Sequence, residues 1–175
     1  KMLNNFRDLI PVNVIDAGIG GSTATESLNR IDSQVLSHNA DLIVVCFGLN
    51  DIYGSLEQFL NSLKQIFLKC RSHADVIYMT PNMFNTYIAD DIQKELIEQA
   101  CRLAEFQNSG KMDMYMDKAC ELAHSVGVKV CDCYSKWKML SKSKDTTLLL
   151  ANRINHPIPE MHKLFAQSLY EIIME

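Results

Sequence analysis

Three short stretches of this chain hold residue types that can do chemistry. The first is Gly18-Ile19-Gly20-Gly21-Ser22-Thr23. Glycines that open a helix leave backbone N–H groups free to meet an anion or a developing oxyanion. The stretch is not a nucleotide fingerprint, since it lacks Gly-x-Gly-x-x-Gly and no lysine follows the glycines. A tight strand-to-helix turn would need the same residues. The second stretch is Gly48-Leu49-Asn50-Asp51, a small polar cluster built from the usual turn formers. The third is Asn155-His156-Pro157. Histidine titrates near working pH and suits proton transfer. His38, His73, His124 and His162 fall on or near helices, whereas His156 sits in a loop beside a proline, with better access to a cleft.

The elements around these stretches give them a common setting. Residues 42–47 are an unbroken apolar run stopped by Gly48, which predicts a strand buried on both faces at the centre of a parallel sheet. Ligands of open α/β sheets sit in the crevice at the carboxyl ends of such strands. A short strand over 12–15 runs into the glycine-rich turn. The helix after it places Ala24, Leu28, Ile31 and Val35 on one face, with Ser22 or Thr23 as N-cap. Leu56, Phe59, Leu60, Leu63, Ile66, Phe67 and Cys70 hold a helical period, and a third strand follows over 76–79. A polar loop over 82–91 leads to two helices separated by Asn108-Ser109-Gly110. A fourth strand over 128–131, a short helix over 134–140 and a last helix opened by Pro157 complete the chain. Strands alternating with amphipathic helices predict an α/β fold with a three-layer parallel sheet.

Composition narrows the partners. The 175 residues suit one domain, with 47% hydrophobic and 22% charged residues. A net charge of −4 without a dense basic block argues against nucleic acid. No apolar run reaches the length of a membrane span. The six cysteines match no zinc spacing, so no metal is expected, and they read as reduced thiols in a cytoplasmic protein. Because Lys1 is not an initiator methionine, a removed signal peptide is compatible with the same sequence.

Together the three stretches resemble the SGNH hydrolase superfamily, the GDSL-type esterases and lipases. Its second block is similar to Gly18-Ile19-Gly20-Gly21-Ser22, its third to Gly48-Leu49-Asn50-Asp51 and its fifth to Asn155-His156-Pro157. The resemblance runs from Val12 onward. It implies a flavodoxin-like fold, no cofactor, and hydrolysis of a small acyl ester by a serine nucleophile. By motif position Gly21 would donate its backbone N–H, and Asn50 its side-chain amide, to the oxyanion. His156 would be the general base, and Asp51 would brace the loop. The residue types fit the chemistry: losing one oxyanion donor typically costs ~10²–10³ in rate, and asparagine donates without a titrating charge.

Two departures stand out. The family's first block, Gly-Asp-Ser with its strand, carries the nucleophile and is absent. The expectation is a single domain over 1–175 that is N-terminally incomplete, with the serine upstream of Lys1. On the order of twenty residues would be needed, a strand plus its turn, seated between the strands at 12–15 and 42–47. Residues 1–9 read as the helix that would follow. Second, the family usually has aspartate three residues before the histidine, where this chain has Arg153. A Ser-His dyad, its imidazole oriented by a backbone carbonyl or by Asn152, is the expected substitute, with Asp145 a remoter candidate.

Asn82, Asn85 and Tyr87 belong to a polar, aromatic-tipped loop at a strand end. That suits a short acyl ester on a polar alcohol, such as an acetylated sugar, and equally suits a loop that is merely solvated. A catalytically silent member that binds a carbohydrate or an anion is the alternative. A flavodoxin-like phosphate binder would leave Asn50 and His156 unexplained.

Overall fold

The structure, a computed structural model, describes residues 11–175. The helix expected over 1–9 lies outside the described residues. Three parallel strands, β1 (Leu42–Val45), β2 (Asp75–Met79) and β3 (Lys129–Cys131), pair in the order β1-β2-β3. Val44 stands opposite Ile77, and Ile77 opposite Lys129.

The two-residue period of the strands splits their side chains between two layers. Ile43, Val45, Val76 and Tyr78 belong to the main core, with α1 (Ala24–Leu28), α3 (Leu56–Arg71) and α5 (Lys111–Ser125). Ile77 and Cys131 turn the other way, against Leu164, Phe165 and Leu169 of α7 (His162–Met174). The fold is therefore the expected three-layer α/β arrangement.

Local signals explain the long helices. In α3 the Ser55 hydroxyl accepts from the Gln58 N–H, and Lys69 and Arg71 sit in the last turn against the helix dipole. Phe59, Leu63, Ile66, Phe67 and Cys70 repeat at three and four residues and are all buried. Each large apolar side chain contributes roughly 1.5–3 kcal/mol on burial. Gly110, at φ +77°, makes the turn between α4 (Ile97–Asn108) and α5.

Several expectations are corrected. Residues 12–15 form no strand; Val14 is 86% exposed, and among the described residues nothing pairs with this segment. One face of β1 is buried and the other only partly covered, Leu42 packing against the α7 side while Val44 and Cys46 are exposed, and it is the edge of the described sheet. An apolar run reports what a strand could bury, whereas actual burial needs neighbours on both sides. Cys101, expected in an apolar helical stripe, is exposed. The first helix is interrupted at Asn29 and Arg30 before α2 (Ile31–Gln34), although Ala24 and Ile31 both remain buried. The last helix starts later than Pro157. Pro157 instead bridges Leu150 antiparallel, Ile158 is extended ahead of Pro159, and Pro159 opens a 3-10 turn before α7. Among the described residues no helix is long and apolar enough to cross a membrane.

Candidate active site

The glycine-rich turn and the turn after β1 meet through one buried carboxylate. Asp51 is 5% exposed. Its Oδ1 accepts from the Ala24 N–H at 2.8 Å, and its Oδ2 accepts from the Gly48 N–H at 2.9 Å. Burial pushes the Asp51 carboxyl above its ordinary pKa, against the pull of those two N–H groups. Thr23 caps α1, with Glu26 completing a capping box. Gly48, at φ +125°, holds a backbone conformation that any side chain would strain, and a Cβ there would also make the end of the Met116 side chain move.

This brace leaves the donors available. Gly21, at φ +80°, makes no backbone hydrogen bond through its N–H among the described residues. Asn50 donates one amide hydrogen to the Ser22 carbonyl at 3.2 Å, and its second has no acceptor among the described residues. Gly21, Ser22 and Asn50 line a common cavity of about 620 Å³ that follows β1, the edge of the described sheet. Asn82 and Pro157 line the same cavity.

His156 is the neighbour of Pro157 and is exposed. Its loop is a small hairpin. Leu150 bridges Pro157, the Ala151 N–H donates to the His156 carbonyl at 2.6 Å, and the Ile158 N–H to the Leu149 carbonyl at 2.9 Å. Inside the hairpin Asn152 Oδ1 accepts the N–H groups of Ile154, Asn155 and His156, at 3.1, 3.0 and 3.0 Å. Asn152 therefore holds the main chain of His156, where the sequence suggested a partner for its ring. The imidazole itself makes no hydrogen bond among the described residues. Arg153, at φ +60°, turns its guanidinium to Asp91, with Nε at 2.9 Å from Oδ2. That contact holds the Asp91 carboxyl below its ordinary range.

The residues expected to touch substrate divide into two kinds. Asn82 and Asn85 are 3% and 5% exposed, and their amides donate to the Asn155 and Arg153 carbonyls, both at 2.9 Å. Tyr87 is 47% exposed, and its hydroxyl donates to Asp145 Oδ2 at 2.6 Å. Thr147 Oγ1 lies 2.6 Å from Asp145 Oδ1 and 2.7 Å from the Tyr87 hydroxyl. The Thr147 and Tyr87 bonds together hold the Asp145 carboxyl below its usual range. Asp145 is thereby engaged with Tyr87 and Thr147. Thr147 and Asp91 were not legible as site residues. Asn152 was named, as a partner for the ring and not for the main-chain N–H groups it accepts.

Residues 3–164 match the sequence profile of the GDSL-like lipase/acylhydrolase family. The chain belongs to that family. Acyl-ester hydrolysis is the chemistry of this family, and the SGNH blocks of the sequence fall within the matched span. Solved structures agree on the fold. An acetylxylan esterase from Geobacillus stearothermophilus superposes with a TM-score of 0.78 at 17% identity, over 97% of this chain and 76% of that one. The acetyl xylan esterase AlAXEase superposes with a TM-score of 0.75 at 20% identity, over 98% of this chain and 85% of that one. A sequence search of curated proteins finds no match.

Proposed function

We propose that this GDSL-family protein hydrolyses a small acyl ester of a polar alcohol, an acetylated sugar being the best candidate. The observation that carries this reading is that Gly21 and Asn50 line one cavity, with Pro157, the chain neighbour of His156, lining it too. A serine Oγ attacks the ester carbonyl while His156 takes its proton. The tetrahedral oxyanion accepts hydrogen bonds from the Gly21 N–H and the Asn50 amide. Collapse expels the alcohol, which His156 protonates. Water, activated by the same imidazole, then releases the acid. Asp51 fixes the two donors. Tyr87, 47% exposed, has a ring face open to a sugar, and the acetylxylan esterases of similar fold favour that substrate class.

The serine comes, in this reading, from a strand seated along the open edge of β1. The cavity along that edge and the exposed Val44 and Cys46 support it, since among the described residues β1 has no neighbour on that side and a strand edge calls for one. The 175 residues alone are expected to be poorly folded and inert towards p-nitrophenyl acetate. The chain extended upstream of Lys1 should hydrolyse it and lose at least ~10²-fold in rate with His156→Ala. A cooperative melt and full activity from the 175 residues would refute this and turn the search to Ser22.

One observation favours a second reading. Variants of the Geobacillus stearothermophilus enzyme described as catalytic mutants replace a serine, a histidine and an aspartate three residues before that histidine. Three residues before His156 stands Arg153, paired with Asp91. A binding protein without turnover would tolerate that change, and it predicts no serine in the seated strand.

A further inference from the structure

The loop that carries His156 raises a physical difficulty. A general base needs a fixed ring, yet Arg153 faces Asp91, and the imidazole has no partner among the described residues. The rigidity must come from the main chain, and the peptide groups from Arg153 to His156 are in fact engaged. Three successive N–H groups, from Ile154 to His156, go to Asn152 Oδ1. Three successive carbonyls, those of Arg153, Ile154 and Asn155, accept from the facing loop after β2.

Asn85 supplies two of those three donors. Its backbone N–H reaches the Ile154 carbonyl at 2.7 Å, and its Nδ2 reaches the Arg153 carbonyl at 2.9 Å. The same Nδ2 lies 3.2 Å from Thr147 Oγ1, and Oδ1 accepts from the Thr86 N–H at 2.8 Å. An amide is the side chain that can both donate and accept in so small a space. Aspartate has the same shape but would set a carboxylate against the Arg153 carbonyl. At 5% exposure the group has no access to water as a substitute partner. Arg153 at φ +60° shows why a clamp is needed, because a non-glycine residue holds that conformation only when its surroundings impose it.

We propose that Asn85 is a positioning residue for His156: it grips the hairpin by its carbonyls and fixes the imidazole without an anionic partner. This rests on the ester-hydrolase reading above and assigns Asn85 a role other than substrate contact. Small displacements of a reacting group cost on the order of 10²-fold.

The test uses the full-length protein and p-nitrophenyl acetate. Asn85→Asp should lower kcat by roughly 10–10²-fold and leave KM within about twofold. In a His156→Ala background the same substitution should change the residual rate by less than about twofold, because its effect passes through the ring. The His156 imidazole resonances, single in the parent, should broaden or double in Asn85→Asp. Thr147→Val, nearly isosteric, should give a weaker loss of the same kind and decides the matter if Asn85→Asp does not fold. Unchanged kcat would overturn the proposal. So would a raised KM at full kcat, which marks a substrate contact, or a full loss repeated in the His156→Ala background, which marks general damage. Failure of the underlying reading looks different: His156→Ala would then retain the parent rate, whatever Asn85 does.

Discussion

The two halves of the site are held by opposite chemistry. On the Gly21 and Asn50 side one buried carboxylate, Asp51, gathers backbone N–H groups from Ala24 and Gly48. On the His156 side three asparagines grip a hairpin, Asn152 by its N–H groups, and Asn82 and Asn85 by its carbonyls. The first half is bolted to the core, next to Ile52 at 0% exposure. The second keeps Asn82 and Asn85 buried, while its outer ties, Arg153 to Asp91 and Tyr87 to Asp145, face solvent. Oxyanion donors work best when they need not move during reaction. A base that passes a proton both ways needs access to a cleft, which keeps it away from the core. The contrast predicts a rigid half and a half whose order depends on polar bonds near water.

Removing the brace should have the largest effect. Asp51→Ala leaves the Ala24 and Gly48 N–H groups buried without their acceptor, at about 1–3 kcal/mol of stability. It also loosens the two turns that carry Gly21 and Asn50, so with these as the proposed oxyanion donors kcat should fall by ~10²-fold or more. Chemical denaturation alongside steady-state rates checks both. A stable variant with full kcat would show that the core half needs no anchor.

Asn152→Ala strikes the His156 half. The main chain of His156 loses its acceptor but keeps the grip of Asn82 and Asn85. Activity should fall by roughly tenfold, far less than for His156→Ala, with a small loss of melting temperature. Losses equal to those of His156→Ala would instead make Asn152 a working member of the machinery.

Acid gives the subtlest test, since the two halves should respond with opposite sign. Asp145 and Asp91 are held below their unfolded pKa by their partners. Their contribution is present above the ordinary carboxylate range, ~4, and is lost as pH falls through the lowered folded values. Asp51 is raised by burial, so its ionised form costs stability, and that cost is relieved as pH falls through its folded value. Amide exchange at Asn155 and His156 should therefore speed up relative to Ala24 and Gly48 between pH 6 and roughly pH 3. Equal change in both halves would erase the distinction.

Much of this arrangement is legible in the sequence. The motifs that place the chain in its family are read directly, and α3 and α5 follow from an apolar period that needs only its own helix to be read. What escapes the sequence depends on partners far along the chain. Residues 12–15 have strand composition, yet a strand exists only where another pairs with it. Asn85 looks like a polar loop residue, and only its bond to Arg153, 68 residues away, reveals a buried clamp. The same polar character that suggested contact with a substrate here satisfies the backbone.

The close fit between Gly48 and Met116 would couple oxidation of that sulfur to the turn that carries Asn50. The Met116 methyl occupies the space that a side chain at position 48 would need. Oxygen added to that sulfur would compete for the same volume and push on the turn that presents Asn50. Sulfoxide formation is reversible by reductases, whereas a substitution at Gly48 would be permanent. At 1% exposure Met116 meets oxidants only when α5 opens, so the damage would follow local unfolding and not the oxidant's concentration alone.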